Sequence, residues 1–106
     1  SAYPSLTLYE ADYLGLSEAT GAYILEVVQG GPADQAGLLA GTQPTQVQGL
    51  YGGGDLIVAV DGQDIVQFSD LLNYMMLNKH PGDDIVLTVL RGDQRLDLTV
   101  TLGERQ

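Results

Sequence analysis

Cysteine and tryptophan are absent, histidine and phenylalanine occur once each, and four lysines and arginines stand against fourteen aspartates and glutamates in 106 residues. Without cysteine there is no disulfide and no thiolate metal ligand, which removes two kinds of chemistry but leaves the redox compartment open. The formal net charge of −10 sets the molecular field against phosphate backbones and anionic lipid surfaces, so nucleic acid is not expected as a partner. Most of that charge is expected simply to maintain solubility. Long apolar runs are missing too. Ala22-Tyr23-Ile24-Leu25 and Leu56-Ile57-Val58-Ala59-Val60 fall far short of the roughly 20 residues that a bilayer-spanning helix needs. Ser1-Ala2-Tyr3-Pro4 carries neither an initiating Met nor a basic segment leading into an apolar one, so the chain is expected to be a piece excised from a larger protein.

What is present suffices for one core. The 44% hydrophobic content predicts a single domain over 1–106. Residues 3–8 alternate loosely, as a short strand does, and Glu10-Ala11-Asp12-Tyr13-Leu14 has helical spacing closed by Gly15, a residue suited to a helix C-terminus. After Gly21, residues 22–29 are rich in Tyr, Ile and Val and predict a buried strand that Gly30-Gly31 ends. Pro32 suits a first helical turn, so Pro32-Ala33-Asp34-Gln35-Ala36 predicts little more than one turn, stopped by Gly37. Residues 41–54 hold no period and many breakers, which predicts an elaborated surface loop.

Residues 55–60 predict a continuous apolar strand, Asp61-Gly62 a tight turn, and Asp64-Ile65-Val66 a brief returning arm. Ser69 is the expected N-cap of a helix running to about Asn78, with Asp70 at its positive end and Pro81-Gly82 beyond it. Residues 85–90 and 96–102 predict a hairpin around Arg91-Gly92-Asp93-Gln94-Arg95; Leu96, Leu98, Val100 and Leu102 alternate with Asp97, Thr99 and Thr101, giving one wet face. Five or so short strands with two or three helices make a small α+β domain.

Catalytic patterns fail one by one. His80 sits in Asn78-Lys79-His80-Pro81-Gly82, where a helix end makes capping or plain exposure its expected role. Gly15-Leu16-Ser17-Glu18-Ala19 lacks the last Gly of a nucleophile elbow, and Gly52-Gly53-Gly54 is followed by no Lys-Ser or Lys-Thr. Asp83-Asp84, Asp93 and Asp97 do not form a calcium loop, and the acids fall on turns and wet faces with nothing to raise a pKa. No catalytic residue, metal site or cofactor is expected.

Several stretches, in order, resemble the PDZ domains of HtrA/Deg-type (trypsin-like) serine proteases: Gly21-Ala22-Tyr23-Ile24-Leu25-Glu26-Val27-Val28, then Gly30-Gly31-Pro32-Ala33 with Ala36-Gly37-Leu38, then Gly54-Asp55-Leu56-Ile57-Val58-Ala59-Val60-Asp61-Gly62. The likeness continues through Phe68-Ser69-Asp70-Leu71-Leu72, Pro81-Gly82-Asp83 and the Arg91-Gly92 hairpin, so it covers nearly the whole chain. It implies a PDZ-like, partly open β-sandwich or barrel of five to six short strands with two main helices, in the permuted bacterial strand order.

The resemblance also implies a site. In this family backbone N–H groups of an apolar-Gly-apolar loop hold a ligand's terminal carboxylate, just before the strand that receives the peptide by β-augmentation. The matching loop is Ser5, Leu6, Thr7 and Leu8, and the pairing strand is Leu8, Tyr9 and Glu10. Leu14-Gly15-Leu16 is the rival loop, disfavoured because it leaves too little chain before Ala22. Thr7 stands where the family has Gly, and a β-branched residue restricts the backbone there, so the loop is reshaped or terminal binding is weak. Leu72, Met75 and Met76 are the expected groove face of the later helix, with Leu71 turned more to the core; Met suits a pocket of modest selectivity.

By this resemblance the domain captures C-terminal or exposed hydrophobic segments and presents substrates to, or regulates, a protease domain expected upstream. Its expected partners are peptides or unfolded proteins with hydrophobic C-termini and that protease domain, with oligomerisation through the parent chain as a further option. No membrane insertion is expected, and the parent is expected to work outside the cytoplasm, in the periplasm or cell envelope or secreted, in protein quality control. The alternatives are a protomer-assembly or scaffold module docking through residues 41–54, or a PDZ domain of another protease or of a secretion system.

Overall fold

The computed structural model describes residues 2–3, 6–16 and 19–102. Eleven elements follow in order: β1 (Ala2–Tyr3), α1 (Leu8–Tyr13), β2 (Ala22–Ile24), α2 (Pro32–Gln35), β3 (Gln43–Pro44), β4 (Tyr51–Gly52), β5 (Leu56–Val60), β6 (Gln63–Asp64), α3 (Phe68–Asn78), β7 (Asp84–Arg91) and β8 (Gln94–Thr101). An antiparallel sheet runs β1-β2-β5-β7-β8, with β6 also paired to β5, and β3 and β4 form a separate ribbon. The α+β class expected from the sequence is the one observed.

β5 explains the architecture. Its five residues are all buried because the sheet is covered on both faces, and a doubly covered strand must be continuously apolar. Ile57 and Val60 pack with Ile24, Leu71, Ile85 and Leu87 on one side, while Leu56 and Val58 pack with Tyr23, Leu50, Ala11 and Leu90 on the other. Strict alternation would put Leu56, Val58 and Val60 on one face. The β5–β7 register shifts between Ile57 and Ala59, and this bulge returns Val60 to the face of Ile57.

Several boundaries depart from expectation. The strand expected over 22–29 pairs only from Ala22 to Ile24, and the expected loop 41–54 contains the β3–β4 ribbon. Gln67, not Ser69, is the N-cap of α3; Asp70 still sits in the first turn, where its Oδ2 accepts from the backbone N–H groups of Val66 at 3.0 Å and Gln67 at 3.1 Å. Accepting from the N-cap N–H, the Asp70 carboxylate at N3 closes a capping box with Gln67 and so sets the start there. The β7–β8 hairpin is tighter than expected, since Arg91 pairs with Gln94 and only Gly92 and Asp93 form the turn.

Asp61-Gly62 behaves as its sequence demands. Both residues have positive φ, 47° and 82°, the geometry of the two-residue turn that joins β5 to β6. The Asp61 carboxylate then gathers three elements: Oδ1 accepts from Val86 N at 2.8 Å, and Oδ2 accepts from the Tyr74 hydroxyl at 2.7 Å and pairs with Lys79 Nζ at 3.1 Å. The Val86 N–H is the main reason its pKa lies below the ordinary aspartate value; partial burial opposes the shift, and Tyr74 and Lys79 add to it. The folded pKa is thus below the unfolded one of about 3.9. This contribution to stability is complete above the unfolded value and disappears as pH falls through the folded one. Urea midpoints measured from pH 6 down to pH 2 should therefore fall more steeply for the parent than for Asp61→Asn, which keeps the turn but not the charge. Parallel curves would remove Asp61 from the acid response.

Candidate functional site

An apolar groove of about 300 Å³ opens between α3, α2 and the segment that follows β2. From α3 it takes Phe68, Leu71 and Met75, from the segment after β2 it takes Val27 and Val28, and Ala33 of α2 closes one end. Ile57, Leu87 and Val100 lie beneath. Among the described residues, the one charged side chain in the lining is Glu26. Phe68, Leu71 and Met75 stand at i, i+3 and i+7, which places them on one helical stripe.

Of the three expected groove residues on this helix, Met75 is in the lining. Leu72 and Met76 are corrections: each follows a lining residue by about 100° around the helix, and Met76 is 82% exposed. Leu71 is buried, as expected, and also lines the groove. Phe68 and Leu71 were recoverable from helical spacing taken from Met75. Val27, Val28 and Ala33 had no such signal, because they belong to segments brought alongside α3 only by the fold.

The expected pairing strand is also corrected. Leu8, Tyr9 and Glu10 form the first turn of α1 instead. Thr7 is the N-cap: Glu10 N donates to Thr7 Oγ1 at 3.1 Å, and Thr7 N donates to Glu10 Oε1 at 3.0 Å. This reciprocal box satisfies two orphan donors and selects helix over strand. Of the expected carboxylate loop, Ser5 lies outside the described residues, Leu6 packs against the second core cluster, and Leu8 is 81% exposed at the first helical position. None of Leu6, Thr7, Leu8, Tyr9 and Glu10 lines the groove.

A second polar feature is structural. Asp55 is fully buried; Arg91 Nε donates to its Oδ1 at 2.9 Å, Arg91 Nη2 to its Oδ2 at 2.8 Å, and Leu39 N to Oδ2 at 3.0 Å. Arg91 Nη2 also donates to Gly37 O at 2.9 Å. Hydrogen bonding to Asp55 holds the guanidinium pKa above its ordinary value. The network ties the turn after α2 to β5 and β7, so it fixes the end of the groove formed by Ala33. His80 is exposed, with its backbone N–H donating to Asp83 Oδ2 at 2.9 Å, and no group of metal-ligating side chains occurs among the described residues.

An antiparallel sheet with α3 packed beside it and an apolar groove between them is an arrangement suited to binding an apolar segment. The PDZ domain model matches residues 6–102. The chain belongs to the PDZ domain family, as the sequence resemblance implied.

Its relatives are longer proteases. A probable periplasmic serine endoprotease DegP-like of Halomonas elongata is 34% identical over 94 residues, covering 89% of this chain and 17% of the relative. Protease Do-like 1, chloroplastic, of Arabidopsis thaliana is 38% identical over 95 residues, covering 86% of this chain and 19% of the relative. The chain thus spans less than a fifth of these curated relatives. Among solved structures, the HtrA-type protease AlgW with a decapeptide superposes with a TM-score of 0.70 at 31% identity, covering 96% of this chain and 27% of that one. The HtrA3 PDZ domain bound to a phage-derived ligand gives a TM-score of 0.64 at 24% identity, over 92% of this chain and 76% of that one, a likeness of fold.

Proposed function

We propose that this domain captures hydrophobic peptide segments, C-terminal or exposed, in the groove beside α3, and thereby presents substrates to, or regulates, an HtrA-like serine protease domain in the same chain, upstream of it and outside the cytoplasm. The observation that carries the reading is the apolar stripe Phe68, Leu71 and Met75 facing Val27 and Val28 across an open groove. Solved relatives that bind a decapeptide or a phage-derived ligand support it, as do the names of the protease relatives. A segment lying beside Val27 and Val28 would extend the sheet past β1, whose ladder with β2 ends at Ile24, and drop its apolar side chains onto α3. Residues 8–10, being helical, take no part.

Binding should be micromolar, on the order of −8 kcal/mol, because a short flexible peptide must be ordered as it docks. The test is calorimetric titration of an apolar decapeptide into the domain. Val28→Asp puts a charge on an exposed part of the lining without disturbing the core, and should abolish the heat. Undiminished affinity in that variant would defeat the groove assignment.

The helix phase is tested in the same assay. Met75→Ser removes apolar surface from the lining and should weaken binding about tenfold, the equivalent of roughly 1.4 kcal/mol. Met76→Ser, one residue on and facing solvent, should leave Kd unchanged. Equal losses in the two variants would place the peptide on the outer face of α3.

A further inference from the structure

We infer that Met75 is an oxidation site that controls the groove: its sulfoxide weakens capture of an apolar segment, and a captured segment shields it from oxidation. This rests on the groove reading above and adds its regulation. The sequence holds two methionines and no cysteine, so all of its sulfur lies in the neighbours Met75 and Met76 on α3. About 100° of helical rotation separates them. Met75 is half-buried, lines the groove and packs against the core beneath it, whereas Met76 is 82% exposed and outside the lining. The two thioethers share one chemistry in two surroundings.

The oxidant is a hydroperoxide, of which hydrogen peroxide is the simplest. A sulfur lone pair attacks one peroxide oxygen, an S–O bond forms and the O–O bond breaks. The proton on the attacked oxygen passes to the departing one, which leaves as water; sulfur has lost two electrons and the peroxide has gained them. Hydrogen peroxide is uncharged, so the formal net charge of −10 does not repel it as it would an anionic oxidant. The product places a polar oxygen on the wall that an apolar segment has to touch. Among the described residues no side chain of the lining can donate a hydrogen bond to that oxygen: Glu26, when ionised, only accepts, and the others are hydrocarbon or the thioether itself. A segment docking over the sulfoxide would take its oxygen out of water without a side-chain partner, which opposes binding. On Met76 the same oxygen stays in solvent and leaves the groove as it was. Reciprocally, a segment lying on Met75 keeps peroxide from it, so occupied domains retain their capacity to bind while empty ones lose it.

The experiment treats the parent domain with graded hydrogen peroxide, locates each sulfoxide by mass spectrometry of proteolytic fragments, and measures Kd for the apolar decapeptide by calorimetry. Met76 should oxidise first with Kd unchanged, and Kd should rise about tenfold only as Met75 follows. Peptide at about ten times its Kd leaves about a tenth of the domains empty, so it should slow oxidation of Met75 about tenfold and that of Met76 not at all. Met76→Leu should show the rise without the earlier silent phase. In Met75→Leu, whatever its starting affinity, peroxide should leave Kd where it was, and methionine sulfoxide reductases should restore the oxidised parent. Binding by the doubly oxidised domain within about threefold of the reduced one, or a rise in Kd that tracks Met76, overturns the inference. So does loss of the cooperative melting transition on oxidation, or a Met75 left unprotected by a peptide whose binding Val28→Asp abolishes. Absence of binding by the reduced parent, or binding unaffected by Val28→Asp, instead removes the groove reading on which the inference rests.

Discussion

Replacing Arg91 with leucine is expected to cost about 3–5 kcal/mol, the penalty for leaving one member of a buried ion pair alone. Asp55 is 0% exposed and has Arg91 on both carboxylate oxygens; without the guanidinium, the Leu39 N–H is the one donor left to its side chain among the described residues. The Gly37 carbonyl loses its partner as well. Against a total stability of roughly 5–15 kcal/mol, such a loss moves the urea midpoint down by about 2 M for an m-value near 2 kcal/mol/M. Asp55→Ala should be milder, because the Arg91 side chain is 35% exposed and can recover hydration. The double variant should accordingly be more stable than Arg91→Leu alone. If the three variants lose stability additively, the pair does not act as a unit and the argument fails.

Substituting alanine for Gly54 should be the next most damaging change. A Cβ there would stand 2.6 Å from Gly41 N and 2.7 Å from Ile24 O, both backbone atoms that cannot rotate away. Gly41 in turn sits where a Cβ would run into the Tyr51 carbonyl, so neither strand of the crossing can retreat. The same corner is held by buried hydrogen bonds: the Tyr23 hydroxyl donates to Tyr51 O at 2.6 Å and accepts from Gly54 N at 3.1 Å. Burial is the main reason the Tyr23 pKa is raised; the Gly54 N–H opposes the shift and the nearby Asp55 charge adds to it. Gly54→Ala should lose about 3 kcal/mol, the upper part of the range for overpacking, seen as a melting temperature lower by about 12–20 °C. Gly53→Ala is the control. Its φ of +88° disfavours alanine, but its Cβ would approach only the far end of the Gln43 side chain at 3.9 Å, so it should cost about 1 kcal/mol. Equal melting temperatures for the two variants would show that close approach is not what fixes Gly54.

These two changes act on one corner of the fold, since Gly54 and Asp55 are consecutive residues. The Asp55–Arg91 pair anchors the turn after α2, and the Gly41–Gly54 crossing closes the β3–β4 ribbon onto β2 through Gly41 N, which donates to Ile24 O at 3.0 Å. Both adjoin residues 24–33, which carry Val27, Val28 and Ala33 of the groove. Milder replacements at either position, insufficient to unfold the domain, are expected to weaken peptide binding through displacement of that segment.

Much of the fold was legible because its signals are local. Pro32 and Gly37 bracket α2, Asp61-Gly62 can only be a tight turn, and the alternation from Leu96 to Val100 marks a strand with one wet face. The α1 helix carried a local signal too, Thr7 with Glu10 three residues on, but the family pattern drew those residues toward an extended loop. The capping box decided otherwise, because two satisfied backbone donors outweigh a likeness in which the key glycine is missing. What the sequence determined by itself was therefore the class and the family. Tertiary structure alone decided which side of α3 faces the groove, that Val27, Val28 and Ala33 lie across from it, and that Asp55 meets Arg91 thirty-six residues away. Helical phase relative to a sheet, and contacts between distant segments, are set by the packing of the whole core, and no local stretch of chain encodes them.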